Sequence, residues 1–336
     1  MSSKLSDYDY PLPESLIAKR PLPRRDESRM MVLHRNSEAI EGAQFRDLKN
    51  FLRSGDLLVL NNTRVLAARR FSDDRAIEFL FLEKLGPARW KCLVKPGRKM
   101  RVGATSKIDN VELTVEEILP EGERIVSLGG DNDLYARGSM PLPPYIGRES
   151  DPADTERYQT VFAQTPGALA APTAGLHFTS EVLAEIPHTF ITLHVGPGTF
   201  RPVHSENIAE HRMHAEWFSI SEEAAAKINA AERIIAVGTT TVRVLETAAR
   251  KTRPTRSVKF SRPEIVARHG ETDLFIYPPF KFRVVDVLIT NFHLPRSTLL
   301  MLVSAFAGRE FLLRAYAEAI RRRYRFYSYG DCMLIL

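Results

Sequence analysis

At 336 residues the chain is longer than one hydrophobic core usually serves, so we expect two domains. Apolar residues make up 44% and charged residues 26% of the sequence, as in an ordinary globular protein, which argues against a disordered chain. The net charge of +6 permits a nucleic-acid partner without requiring one, and two distant cysteines disfavour a disulfide framework or a thiolate zinc site.

We expect neither a secretion signal nor a membrane span. Residues 1–21 contain no apolar stretch of the kind that a secretion signal needs. The apolar run at 299–308 is too short to cross a bilayer. We therefore expect a cytoplasmic protein with no membrane contact.

The pattern of apolar and turn-forming residues changes within the first 150 residues. A helix is predicted for Phe45–Arg53, followed by a short strand at Leu57–Leu60. After that, short runs of partly alternating apolar residues are separated by Gly, Pro and Asn, which is typical of an antiparallel barrel or sandwich. We predict a small antiparallel β-barrel domain at 69–150, inserted into a catalytic domain formed by 1–68 and 151–336.

Strands and helices alternate after about residue 151. The runs 188–196, 233–238 and 282–290 are predicted strands. Helices are predicted after Ser221, from residue 239 and before Gly308, and a C-terminal helix is predicted at 309–326. This alternation indicates an α/β fold with a layered, mixed sheet, in which ligands bind at the carboxyl ends of strands.

Two glycine-rich stretches carry a histidine. His177 lies in "APTAGLHF", residues 171–178, and His194 lies in "HVGPGTF", residues 194–200. Glycine lets a backbone approach a ligand closely, which makes both histidines candidates for function, although a lone histidine is more often structural.

Threonines open a predicted helix in "VGTTT", residues 237–241. The free N–H groups and hydroxyls of a helix N-terminus suit a carboxylate or a phosphate, but threonine can equally serve only as a cap. None of these loops matches the nucleotide-binding motifs G-x-G-x-x-G or G-x-x-x-x-G-K-[ST].

The stretch "ITNFHLPRST" places Asn291, His293 and Arg296 between a strand and a helix. Their side chains suit amide recognition, proton transfer and phosphate binding, respectively. The alternative is a capped turn with Pro295 at the helix start. We favour the functional interpretation because three polar groups cluster at the ligand edge of the sheet.

A third histidine-containing segment is "EHRMHAEWF". His211 and His214 have a spacing that can bind metal on a helix, but no supporting ligand stands nearby, so no metal is predicted. Proton transfer by His214 or Glu216 is the stronger hypothesis. Trp217 is predicted to lie in the core.

The C-terminal stretch "AIRRRYRFYSYGD", residues 319–331, interleaves arginines with aromatic residues. Arginines and stacking aromatics bind single-stranded RNA in many proteins. The alternative is that the arginines complement a helix dipole while the aromatics belong to the core.

Long motifs along nearly the whole chain closely resemble one known family. They include "APTAGLHFT", "HVGPGTFRPV", "HRMHAEWF", "VGTTTVRVLE", "TDLFIYPPFKFRVVDVLITNFHLPRSTLLMLVSAFAG" and "YRFYSYGDCMLIL". The family is the S-adenosylmethionine:tRNA ribosyltransferase-isomerases of queuosine biosynthesis.

The resemblance implies a specific reaction. The ribosyl part of S-adenosylmethionine, acting as a co-substrate, is transferred to 7-aminomethyl-7-deazaguanine at the tRNA wobble position and isomerised. The products are epoxyqueuosine-tRNA, adenine and methionine. The resemblance also implies an α/β domain with an inserted β-barrel, a tRNA partner, no metal and a monomer.

Candidate roles follow from combining the resemblance with the residue chemistry. The catalytic candidates are His177, His214 and His293, and Phe178 or Phe200 could stabilise the sulfonium. The candidates for binding S-adenosylmethionine are Thr173, Gly175, Gly196, Gly198, Thr199, Thr239, Thr240, Thr241 and Asn291. The candidates for nucleic-acid contact are Arg64, Arg296, Arg322, Arg323 and Arg325.

Three local departures from the family pattern are expected to reshape loops rather than the chemistry. The turn in "FSDDRAIEF", residues 71–79, is shorter than usual, Pro279 replaces a glycine, and Glu271 replaces an aromatic residue. Two other functions are kept as alternatives: a non-catalytic tRNA-binding module, and a metabolic enzyme that uses a nucleotide.

Overall fold

The computed structural model describes residues 4–130, 133–196, 198, 203, 205–250 and 262–336. These residues form two compact units. The first unit comprises Met1–Arg64, Pro143–Arg148 and Gln159–Leu336, and the second comprises Val65–Leu142 and Glu149–Tyr158. The second unit therefore begins at Val65 rather than at residue 69, and it takes in residues 149–158 as well.

The strands and helices are numbered here in chain order. The strands are β1 (Arg29–His34), β2 (Ala39–Gln44), β3 (Asp56–Asn61), β4 (Thr63–Val65), β5 (Arg69–Phe71), β6 (Glu78–Lys84), β7 (Arg89–Lys95), β8 (Thr105–Ile108), β9 (Val111–Ile118), β10 (Arg124–Leu128), β11 (Thr165–Ala168), β12 (His188–Leu193), β13 (Glu216–Ile220), β14 (Arg233–Val237), β15 (Arg268–Thr272), β16 (Val287–Asn291) and β17 (Cys332–Ile335). The α-helices are α1 (Pro152–Arg157), α2 (Ser180–Ala184), α3 (Glu222–Ala230), α4 (Thr239–Arg250), α5 (Thr298–Ala307) and α6 (Arg309–Arg321).

A nine-stranded mixed sheet organises the first unit, in the order β15-β13-β12-β3-β14-β16-β17-β1-β2. Strands β12, β3, β14 and β16 are parallel neighbours, so their carboxyl ends share one edge of the sheet. Strand β17 runs antiparallel to β16 and parallel to β1, which brings the starts of β17 and β1 to that same edge. We call it the carboxyl edge.

Apolar residues cover both faces of this sheet. Alternate residues of β1 show the division, since Met31 and Leu33 join the cluster that includes α4, α5 and α6. Met30 and Val32 join the opposite cluster, which contains Phe45 and Phe178. Central strands that are buried on both faces require continuous apolar runs, and the sequence contains such runs.

Local capping fixes several helix ends as predicted. The Ser221 hydroxyl accepts a hydrogen bond from the Ala224 N–H at 3.1 Å at the start of α3. Gly308, with φ of +87°, follows the last residue of α5.

Four predicted elements differ from the structure in type or extent. Phe45–Phe51 is a 3-10 helix, and α6 ends at Arg321 rather than at residue 326. The strand predicted at 282–290 begins only at Val287. The reason is that the N–H groups of residues 283–285 donate to the buried Glu246 carboxylate instead of to a neighbouring strand. The run 326–336 predicts a strand that ends the chain, and in the structure this strand is limited to Cys332–Ile335.

The second unit contains a six-stranded antiparallel sheet in the order β5-β6-β7-β10-β9-β8. Its buried face carries Phe79, Phe81, Trp90 and Val126. The shortened turn after Phe71 still closes a hairpin, because the N–H of Ser72 donates to the Ile77 carbonyl at 2.8 Å. In the described part of the chain, no helix is long and apolar enough to cross a membrane.

Candidate functional site

A cavity of about 430 Å³ lies in the first unit, beside the residues that follow β16. Its wall includes four residues singled out from the sequence, namely Thr173, Asn291, His293 and Arg296. The volume falls within the range of small-molecule sites. The loops after β11 and β16 therefore meet at the carboxyl edge, as expected for a ligand site in an α/β sheet.

A smaller cavity of about 40 Å³ shares Thr173 and His293 with the large one. Its wall continues to Gly238, Thr239 and Thr240 at the start of α4. The "VGTTT" stretch thus lies next to the "APTAGLHF" and "ITNFHLPRST" stretches. Thr241 does not take part, since it is buried and its hydroxyl donates to the Val237 carbonyl at 2.8 Å.

His177 is a buried residue whose two ring nitrogens both have protein partners. Nδ1 lies 2.7 Å from the Ser28 hydroxyl, and Nε2 lies 3.3 Å from Nδ2 of Asn291. The Ser28 hydroxyl in turn reaches the Arg25 carbonyl at 3.2 Å. His177 lines neither of these two cavities, but it contacts the wall residue Asn291, and its direct role in catalysis stays a prediction.

His293 is held at the junction of the two cavities. Its Nε2 lies 2.7 Å from the Thr290 hydroxyl, and its backbone N–H donates to the Tyr316 hydroxyl at 2.9 Å. The Tyr10 hydroxyl donates to its backbone carbonyl. These contacts hold His293 in the wall that the two cavities share.

Burial keeps both histidines neutral. Loss of hydration lowers the pKa of His177 to about 4 and the pKa of His293 to about 3. At neutral pH each imidazole can accept a proton but has none to give as a cationic acid.

Glu216 is not a free proton acceptor, which corrects one of the two hypotheses for the "EHRMHAEWF" segment. Its carboxylate forms a buried ion pair with Arg243 of α4. The same carboxylate accepts a hydrogen bond from the Gly196 N–H at 2.8 Å. Its structural role is to hold the loop after β12.

His214 lines neither of the two cavities described above. A Cβ atom added at Gly198 would lie 2.4 Å from the His214 ring, so glycine at 198 makes room for this histidine rather than for a ligand. The ring of His211 packs edge-on against Phe275. No cluster of three or more metal-ligating side chains occurs in the described ranges.

His194 and Trp217 form a stacked pair with ring centroids 5.0 Å apart. His194 Nδ1 lies 2.8 Å from the Thr63 hydroxyl. The prediction that Trp217 belongs to the core is wrong, because the side chain is 39% exposed. It points to the face of β13 opposite the buried Phe218.

Two further candidates are explained by packing. A Cβ atom at Gly175 would lie 2.8 Å from Phe162 and Thr160, so the need for glycine here is steric. Phe178 is fully buried against Phe45 and lines neither cavity. Thr199 and Phe200 lie outside the described residues.

The arginine candidates are dispersed. Arg64 is exposed on β4, and Arg296 pairs with Asp9 at the mouth of the large cavity. Arg322 pairs with Glu318, whereas Arg323 is exposed after α6. Arg325 is half-buried, and burial lowers the pKa of its guanidinium.

The aromatic residues of the C-terminal stretch do not form a stacking surface. Tyr324, Phe326, Tyr327 and Tyr329 are all buried, between 0% and 5% exposed. The alternative interpretation of these aromatics as core is therefore confirmed. Tyr327 also contributes to the wall of the large cavity.

Some site residues were missed by sequence reasoning. Ser28 and Tyr10 carry no local motif, and each reaches the site through a contact between distant parts of the chain. Tyr327 belongs to the C-terminal stretch, for which the sequence predicted RNA stacking or core packing but not a place in the cavity wall. The sequence placed Arg243 in a predicted helix but did not indicate its ion pair with Glu216.

Comparisons with known proteins give matches over nearly the whole chain. Residues 5–335 match the family model described as "Queuosine biosynthesis protein". Relatives from Carboxydothermus hydrogenoformans and Thermotoga petrophila, both named S-adenosylmethionine:tRNA ribosyltransferase-isomerase, are 50% and 47% identical to it, over 99% of this chain and 100% of each relative. A crystal structure of S-adenosylmethionine tRNA ribosyltransferase from Thermotoga maritima is similar at a TM-score of 0.56 and 40% identity, covering 98% of this chain and 100% of that one.

Proposed function

The chain belongs to the queuosine biosynthesis protein family, and on that premise we propose that it is an S-adenosylmethionine:tRNA ribosyltransferase-isomerase. The observation that carries the proposal is full-length similarity to relatives of that name at 47–50% identity. The enzyme transfers the ribosyl group of S-adenosylmethionine to 7-aminomethyl-7-deazaguanine at the tRNA wobble position. It releases adenine and methionine and leaves epoxyqueuosine in the tRNA.

The chemistry makes three demands on the site. The sulfonium acidifies the adjacent ribose carbon, so a base must remove a proton there. Adenine must leave, and the attacking amine must be uncharged. His293 is the candidate for the first demand because its imidazole stands in the cavity wall and is unprotonated at neutral pH, although burial makes it a weaker base than a free histidine.

The large cavity is our proposed site for S-adenosylmethionine. Thr173 and Asn291 supply polar groups in its wall. The N-terminus of α4, with Thr239 and Thr240, adjoins it and suits the methionine carboxylate. His214, Gly196 and Thr199 are left as secondary candidates of the loop after β12.

The tRNA is the proposed partner, and no metal is required by the proposed steps. Arg296, at the cavity, and the exposed Arg323 are the strongest candidates for phosphate contacts. Arg64 is exposed and is a further candidate. Arg296 would have to exchange its pair with Asp9 for a phosphate, and Arg322 its pair with Glu318, whereas Arg325 is half-buried.

We further propose that the first unit, close to the predicted 1–68 and 151–336, is the catalytic domain and that the antiparallel sheet of the second unit, close to the predicted 69–150, curls into a small barrel. A cytoplasmic location and a monomeric state are part of the same proposal. Size-exclusion chromatography with light scattering tests the monomer.

One assay separates the proposed function from its alternatives. The protein is incubated with S-adenosylmethionine and with tRNA that carries the deazaguanine precursor, and adenine is measured. Release that needs both substrates supports the transferase-isomerase. RNA binding without consumption of S-adenosylmethionine would indicate a binding module, and turnover without RNA would indicate a nucleotide-using metabolic enzyme.

A further inference from the structure

The two polar atoms of the Asn291 side chain differ in their hydrogen bonding. Its Nδ2 donates to the Tyr327 carbonyl at 2.9 Å and faces His177 Nε2 at 3.3 Å, which accounts for both amide protons. Its Oδ1 is buried and accepts no hydrogen bond from the described residues. The residue is 1% exposed and forms part of the wall of the large cavity.

A chain of hydrogen bonds through His177 and Ser28 fixes the orientation of the Asn291 amide. Nε2 of His177 can accept from Asn291 only if the ring proton is on Nδ1, where it donates to the Ser28 hydroxyl at 2.7 Å. Ser28 can then donate to the Arg25 carbonyl at 3.2 Å. The opposite amide orientation would set Oδ1 against the Tyr327 carbonyl, so this chain of donors selects one arrangement.

We propose that Asn291 binds S-adenosylmethionine through Oδ1, accepting a hydrogen bond from a donor of the substrate, and that His177 is the positioning residue that holds the amide in that orientation. This inference rests on the proposed function. A buried amide oxygen without a donor is unfavourable, and a substrate N–H or O–H that reaches it from the cavity would remove that cost.

The substrate offers three kinds of donor: the exocyclic amine of adenine, the ribose hydroxyls and the α-ammonium. A hydrogen-bond acceptor such as Oδ1 of Asn291 can bind any of the three. A site that hydrogen-bonds a substrate donor rejects the analogue that lacks it, so such analogues identify which donor is bound.

The first experiment measures binding of S-adenosylmethionine by calorimetry, together with kcat and KM for adenine release. Asn291→Leu removes the acceptor at similar size, and we expect its Kd to rise about 3- to 10-fold, the worth of one neutral hydrogen bond. Asn229→Leu is the matched control, because among the described residues the Asn229 amide bonds to the backbone of Ile265 alone, and it lines neither cavity. Its Kd should equal that of the wild type.

The second experiment tests the positioning role. His177→Gln keeps an acceptor for the Asn291 amide, so we expect binding and rate close to the wild type. His177→Leu removes it and should raise Kd as Asn291→Leu does. The rate of His177→Gln should also keep the wild-type pH profile, whereas a catalytic acid or base at 177 would lose one limb of it.

The third experiment pairs variants with analogues lacking the exocyclic amine, one ribose hydroxyl or the α-ammonium. The wild type should bind one of them about 3- to 10-fold more weakly than S-adenosylmethionine, and Asn291→Leu should show no further loss with that analogue. If the loss of affinity caused by Asn291→Leu multiplies the loss caused by the analogue for every one of the analogues, the inference is overturned. If Asn291→Leu does not fold, the same comparison is made with His177→Leu.

The outcomes separate the two proposals. A wild type that binds S-adenosylmethionine but releases no adenine with precursor tRNA would contradict the proposed function alone. A wild type that releases adenine, with Asn291→Leu and His177→Leu unchanged in Kd and KM, would contradict the inference alone.

Discussion

Glu216 and Arg243 form an ion pair in which both side chains are almost fully buried, 4% and 3% exposed. Arg243 also donates to the carbonyls of Leu274 at 3.0 Å and Thr272 at 3.1 Å. Glu216 receives the Gly196 N–H in addition. The pair therefore ties α4 and the edge of the large sheet to the loop after β12.

Removing one partner of this pair leaves a buried charge uncompensated. Glu216→Ala should lower the free energy of unfolding by about 3–5 kcal/mol, measured by urea denaturation. The control is Glu223→Ala, because Glu223 is an exposed member of a pair with Lys227 and should have no measurable effect. Equal effects of the two substitutions would show that the buried pair is not structural.

Gly175 is expected to be intolerant of a side chain for steric reasons. Gly175→Ala places a Cβ atom 2.8 Å from Phe162 and Thr160, and overpacking of this kind costs about 1–3 kcal/mol. Thermal unfolding should show the loss. Gly86→Ala is the control, since no atom lies within 4 Å of the added Cβ, and a similar melting shift there would refute the steric argument.

The buried histidines predict acid sensitivity. Burial lowers the pKa of His177 from 6.5 to about 4, so the unfolded chain takes up the proton first as the pH falls. Stability should decline between about pH 6.5 and pH 4, and His177 should account for roughly 3 kcal/mol of the decline. Urea denaturation at several pH values should show a shallower pH dependence for His177→Gln, and an unchanged slope would contradict the assignment.

His293 is expected to matter for the chemical step. His293→Ala should slow single-turnover adenine release by about 100- to 10,000-fold, the usual contribution of a proton-transfer group. The control is His34→Ala, since His34 is a surface residue paired with Glu41. A rate for His293→Ala within threefold of the wild type would remove His293 from the mechanism.

Arg323 is expected to contact the tRNA backbone. Arg323→Ala should weaken tRNA binding and reduce the slope of log K against log salt by about 1, measured by fluorescence anisotropy. Arg314→Ala is a suitable control, because this exposed arginine of α6 is paired with Glu38. An identical salt slope for wild type and Arg323→Ala would place the RNA elsewhere.

Much of the fold was predictable because its signals are local. A buried apolar run followed by Gly238 and threonines specifies the β14–α4 junction within a dozen residues, and Ser221 marks the start of α3 through its own hydroxyl. These signals placed the candidate loops at strand ends. They also placed His293 and Asn291 together, since the two are nearly adjacent in sequence.

The partners of the polar side chains were decided only by the tertiary structure. Ser28 meets His177 across 149 positions because the start of β1 and the end of β16 share the carboxyl edge, with β17 between them, and the 3-10 turn after β11 that carries His177 packs at that edge. The same placement is the basis for the proposed role of His177 as a support for Asn291. Sequence alone determines which residue types stand at strand ends, because caps and periodicity act over a few residues. Strand order determines which of them touch, and that order depends on packing the whole sheet at once.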